Sequence, residues 1–248
     1  MRSQAALAVL FGVLCLGVNV LGGMIALRAS RSQKGMACTV AGGAGFMLAV
    51  ALLEMLPEGL ERTPHAPLFA LLGYGLIHLC EHVLIPHFHF GEEVHPEAMI
   101  GTTASAAALG GLVAHSFIDG LSIAGGVSSG SRLGVLVFLG VALHSIPAGF
   151  TMGSVMLAAG RSGRAALLSA LLIGTATLVG ACSIFVIGAG SSALVGAVLS
   201  VSAGSFLYIA ATDLIPLVNA QDDRGTTWAI FGGVGLFYGI VQALEAFK

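Results

Sequence analysis

The sequence predicts an all-α integral membrane protein, with eight transmembrane helices in a 3+2+3 inverted-repeat arrangement. Three observations predict it. Of the 248 residues, 56% are hydrophobic and 9% charged, and mean hydropathy is +0.97, so lipid rather than water must solvate most of the surface. The apolar residues fall into eight continuous runs of about 20 residues, the length that crosses hydrocarbon as a helix. A barrel strand would instead alternate apolar and polar over about ten residues. Finally, segment 45–57 is echoed by segment 204–216, and the two lie in spans of opposite direction.

The runs are justified in order. The first, 5–27, follows Arg2; it is too long for a signal peptide and lacks a convincing small-residue cleavage site, so it reads as a span. The second, 36–57, begins after the polar "RASRSQKG", and the third, 66–86, after "EGLERTPHAP". Spans four and five, 102–127 and 133–158, form a central pair. The sixth, 165–188, follows "GRSGR"; the seventh and eighth, 192–217 and 227–247, flank "NAQDDRGTT". Little sequence is left for soluble domains, so residues 1–248 read as a single transmembrane domain.

Charge sets the expected direction. With the N-terminus outside, inner loops hold Arg28, Arg31, Lys34, Arg161, Arg164 and Arg224, against Arg2, Arg62, Arg132 and Lys248 outside, in the sense of the positive-inside rule. The scattered cations and a net charge of -2 leave no footprint for nucleic acid, and there is no glycine-rich phosphate loop. Cys15, Cys38, Cys80 and Cys182 lie in or beside apolar runs without CxxC spacing, which indicates buried thiols rather than disulfides or a thiolate zinc site.

Two internal echoes organise the chain. "GFMLAVALLEMLP" (45–57) and "GSFLYIAATDLIP" (204–216) share a glycine first, an acid tenth and a proline thirteenth. Their opposite direction is the form of an inverted-topology repeat, with spans 1–3 and 6–8 as halves and spans 4 and 5 between them. In that central pair "HSFIDG" (115–120) is matched by "HSIPAG" (144–149), each near mid-span, with Pro147 as a local irregularity.

These central motifs carry the chemistry. His115 and Asp119 are four apart, hence on one helical face, and His144 reaches the same point from span 5. An Asp at the centre of a membrane helix costs about 2.5–3.5 kcal/mol on insertion scales, so it calls for a partner that offsets the cost. A divalent cation is such a partner. Imidazole nitrogen with carboxylate oxygen suits zinc, with iron, manganese or cadmium also accommodated. The bland alternative is a His–Asp hydrogen bond that fastens helices together. Ser116 and Ser145 offer oxygen ligands or orient the histidines, and equally serve as interhelical glue. Met47 offers a soft thioether, or simply packs. Glu54 and Asp213, each three residues before a proline, are expected at opposite ends of an ion pathway, or as carboxylates reaching interfacial water. His78 and Glu81 read as a structural pair. The cytoplasmic loop 87–101 opens within "PHFHFGEEVHPE" (86–97), whose His87, His89 and His95 form a metal-binding tract or a solvated linker.

Over nearly its whole length the chain resembles the ZIP (Zrt/Irt-like) family of metal transporters. "HSFIDG", "HSIPAG", "FLYIAATDLIP" and the His-bearing loop carry the likeness. The resemblance implies import of zinc or a related divalent ion into the cytoplasm, with no organic cofactor. It also implies both termini outside and a transport site from spans 4 and 5. By position His115 and Asp119 match the family's span-4 ligands, His144 its first span-5 ligand, and Met47 a contributing span-2 position. Many members carry a carboxylate where this chain has Ala148 and a polar or acidic ligand where it has Ser145, and "IGTATLVG" in span 6 is not acidic either. One principal metal is therefore expected. A homodimer and a bacterial cytoplasmic membrane are the expected setting. An intramembrane zinc hydrolase is the alternative from another class, although no HExxH is present; a membrane metal sensor lacks a sizeable output domain.

Overall fold

The structure, a computed structural model, describes residues 2–28, 33–79, 102–187, 191–216 and 224–246. Its elements among these residues are all helical. They are α1 (Arg2–Arg28), α2 (Gln33–Val50), a π-turn (Ala51–Met55) leading into α3 (Leu56–Arg62), α4 (Ala66–Leu79), α5 (Thr102–Ser129), α6 (Ser131–Ala158), α7 (Gly163–Ile187), α8 (Ser192–Tyr208) with a second π-turn (Ile209–Leu214), and α9 (Arg224–Ala246). Among the described residues, seven stretches are long and apolar enough to cross a membrane. The protein is an all-α, multi-pass membrane protein. The third expected span, 66–86, is described only over the 14 residues of α4; its remainder, with Cys80 and Glu81, and the loop with His87, His89 and His95 lie outside the described residues.

The 45–57 and 204–216 echo has a backbone meaning. Each copy runs as α-helix and then widens into a π-turn that ends two residues before its proline, Pro57 or Pro216. In each, the amide after the turn bonds back five residues, Leu56 N–H to Ala51 O and Ile215 N–H to Ala210 O. A proline cannot donate to the α ladder, and a π-turn absorbs one extra residue, rotating the rest of the helix by about 100°. Glu54 and Asp213 both lie inside these turns. Pro147, by contrast, does not break its helix: α6 continues through it from Ser131 to Ala158.

The helices pack in two groups. α1 lies on α6 and α7, and α5 lies on the same two; α2 pairs with α9, and α4 and α3 with α8. The groups meet where α2 crosses α6 and α8 crosses α5. Inside each group the closest approaches run over glycine. A Cβ on Gly120 (α5) would strike the backbone of Thr177, and one on Gly180 (α7) that of Phe117. Gly22 (α1) abuts the backbone at Ile146, and Gly149 (α6) that at Asn19. In the second group Gly45 and Gly233 seat α2 on α9, and Gly73 and Gly204 seat α4 on α8. Lipid tails are as apolar as leucine, so such backbone contact and dispersion, rather than hydrophobic burial, hold these pairs. Large side chains fill the core around the boundary: Phe46, Met47, Leu136, Phe206 and Tyr208 are fully buried.

Candidate metal centre

The HSxxDG stretch of α5 and the HSxPAG stretch of α6 bring three polar side chains together in this apolar interior. His115, Asp119 and His144 are 2%, 2% and 5% exposed, far too little for water to solvate a carboxylate. His115 Nε2 and His144 Nε2 each lie 3.1 Å from the same oxygen, Asp119 Oδ2, and 3.4 Å from each other. Asp119 Oδ1 has no hydrogen-bond partner among the described residues. His144 also touches the ring of Phe206 edge-on, at 6.0 Å between centroids, so the cluster faces the boundary with α8.

The tautomer of His144 follows from its neighbour. Its Nδ1 lies 3.0 Å from the carbonyl oxygen of Gly140, which only accepts, so Nδ1 carries the proton. A neutral His144 then presents a bare lone pair at Nε2 to a carboxylate oxygen that is also an acceptor. Two acceptors at 3.1 Å repel unless a proton or a metal cation lies between them. This is the arrangement of a metal-ligand histidine, whose far nitrogen is fixed by a backbone carbonyl.

The spacing suits a metal as well. Zinc bonds nitrogen and oxygen at about 2.0–2.2 Å, so tetrahedral ligands lie about 3.3 Å apart. The three atoms form a triangle of 3.1, 3.1 and 3.4 Å, the size of one face of that tetrahedron. Among the described residues, these are the one group of three such side chains with ligand atoms mutually within 4.8 Å.

The other expected residues fall differently. Ser145 is buried, but its hydroxyl donates to Val141 O at 2.8 Å on its own helix. Ser116 is buried beside His115 in sequence, and Met47 is fully buried in the main core; neither belongs to the triangle. Asp213 is 1% exposed inside the second π-turn. Glu54 does not stand alone: Arg132 Nη2 reaches its Oε1 at 2.5 Å and Glu245 Oε1 at 3.6 Å. Sequence reasoning missed that pairing, because Arg132 is separated from Glu54 by 78 positions and no local pattern links them. His78 meets the hydroxyl of Tyr208 at 3.5 Å, while Glu81 is outside the described residues.

A polytopic helical membrane protein with a buried set of side chains able to hold a metal ion is thus the class that fold and site define. The chain belongs to the ZIP zinc transporter family, whose sequence model matches residues 89–241. It is also similar to zinc transporter ZIP6 of Pongo abelii, at 28% identity over 174 residues. That match covers 66% of this chain but 23% of the relative, so the chain spans under a quarter of that protein's length. The family is one of transporters, which gives the hydrolase reading no support.

Proposed function

We propose that this protein carries zinc, or a related divalent ion such as iron, manganese or cadmium, into the cytoplasm by alternating access. The transport site is His115, Asp119 and His144 at the boundary of spans 4 and 5. The observation that carries this reading is the triangle of two imidazole nitrogens and one carboxylate oxygen at tetrahedral spacing. A midplane site between repeats is where such transporters hold their cargo. Ser116, Ser145 and Met47 are proposed to shape the pocket, with water completing the ion's shell. Asp213, and Glu54 once released from Arg132, are proposed along the route. His87, His89 and His95 are proposed to gather metal at the membrane surface.

The 3+2+3 architecture is part of the same proposal, and the packing supports it. Exchanging α1 with α7, α2 with α8, α4 with α9 and α5 with α6 turns each main pairing into another observed one: α1–α6 into α7–α5, α2–α9 into α8–α4, and α2–α6 into α8–α5. Gly120 and Gly149, matched in the two central motifs, likewise face α7 and α1, which the exchange relates. α4 is proposed as part of the third span, which with the seven longer stretches makes eight. A bacterial cytoplasmic membrane and a homodimer complete the proposed setting.

With Ala148 where many members carry a carboxylate, and Ser145 where they carry a polar or acidic ligand, one metal per chain is proposed. The decisive experiment is uptake of radiolabelled zinc into proteoliposomes, with iron, manganese and cadmium as competitors. Uptake that His115→Ala abolishes supports the reading; uptake that survives it, or two equally tight adjacent sites by titration, overturns it.

A further inference from the structure

We propose that Arg132, Glu54 and Glu245 form an ionic latch that closes one end of the boundary between the two helix groups and must open before the metal site is reached from that end. The inference rests on the transport reading above. Arg132 is the second residue of α6, in the first group; Glu54, in the first π-turn, and Glu245, in the last turn of α9, belong to the second. The three side chains therefore join the groups rather than brace either one.

The stretch between latch and site makes the position consequential. Arg132 is twelve residues before His144 on α6, about 18 Å along the helix at 1.5 Å per residue. One turn before His144, Gly140 is flanked by Phe206, Phe46 and Val50, all within 4 Å of where its Cβ would stand. Phe46 and Val50 come from α2 and Phe206 from α8, and all three are fully buried. An apolar seal thus covers the histidines on the side of the latch. A hydrated cation cannot pass such a seal until α6 and α2 part.

The latch has the chemistry of a reversible contact. The side chains of Arg132, Glu54 and Glu245 keep 31%, 17% and 47% of their surface, so each partner is rehydrated on separation. A fully buried pair would instead be left desolvated and unpaired. The device sits in one half by sequence. The register that aligns His115 with His144 places Thr103 opposite Arg132, while Asp213 keeps the counterpart of Glu54.

Two measurements test this on the full-length protein. In the first, hydrogen–deuterium exchange is followed with Arg132→Gln and Arg132→Lys. Loss of the charge should raise exchange at 131–137 and 51–58 about two- to fivefold, the scale of a partly exposed ion pair, while lysine stays near wild type. Unchanged protection in Arg132→Gln overturns the latch. In the second, Glu245→Cys with Arg132→Cys is made in a background with Cys15, Cys38, Cys80 and Cys182 replaced by alanine. A short bifunctional thiol cross-linker should abolish zinc uptake, whereas a monofunctional reagent of similar size should spare it. Uptake that persists in the fully cross-linked protein overturns the latch. If wild type carries no zinc at all, the transport reading fails, and the exchange arm still decides whether the contact holds the groups together.

Discussion

His144 places Nε2 3.1 Å from Asp119 Oδ2 while its other ring nitrogen is committed to the Gly140 carbonyl. With a neutral imidazole, acceptor faces acceptor in the interior of the bundle, and the contact becomes favourable when a proton or a metal cation lies between them. Asp119→Asn separates binding from folding at this point. The amide donates to the imidazole lone pairs, so the metal-free protein should keep its melting temperature or gain slightly. Zinc affinity should fall by about a hundredfold or more, equivalent to about 2.7 kcal/mol. Calorimetric titration beside a thermal melt reads both.

Metal should also stabilise the wild type by mass action. At a free zinc concentration about a hundred times Kd the native state gains about 2.7 kcal/mol, and a chelator should reverse it. The melting shift should be lost in His115→Ala and in Asp119→Asn. An equal shift in those variants would place the responsible ion elsewhere, with the histidines of the 87–101 loop as the first candidates.

Ser145 provides a contrast. Its hydroxyl is already spent on the Val141 carbonyl at 2.8 Å, so Ser145→Ala removes a bond within α6 that bends helices more than it holds them. Zinc uptake should change by less than about threefold, a difference of about 0.7 kcal/mol. A loss comparable to that of His115→Ala would make Ser145 a ligand.

The α4–α8 seam should be intolerant of volume. A Cβ on Gly73 would strike the backbone of Val201, and one on Gly204 that of Ala70, whereas Gly75 has open space. Gly73→Ala and Gly204→Ala should each destabilise by about 1–3 kcal/mol through overpacking. Gly75→Ala should be neutral. Denaturant titration in detergent distinguishes them.

Local signals in the sequence located most of these features. Hydropathy placed the central helices within two residues of their ends, 102–127 against Thr102–Ser129 and 133–158 against Ser131–Ala158. A run of apolar residues is its own measure of length in lipid. The i, i+4 spacing brought His115 and Asp119 to one face, and the HSxPAG echo supplied His144. The 45–57 echo was visible as letters, but its shared π-turn was not, since an extra residue in a helix leaves no periodic trace. Pro147 suggested an irregular helix, yet α6 runs through it, and packing on α1 at Gly149 keeps that stretch in place. The Arg132–Glu54 contact was illegible because only the tertiary fold sets those side chains together.

The glycine seams have a mechanical consequence. Because α5 and α7 touch main chain to main chain at Gly120 and Gly180, and α1 and α6 do so at Gly22 and Gly149, His115, Asp119 and His144 are all mounted on one stiff block. Under the transport reading proposed above, whatever sliding delivers the cargo would carry this cage along undistorted. Discrimination among ions would then be settled once, at loading, with only the walls around the cage changing during the journey.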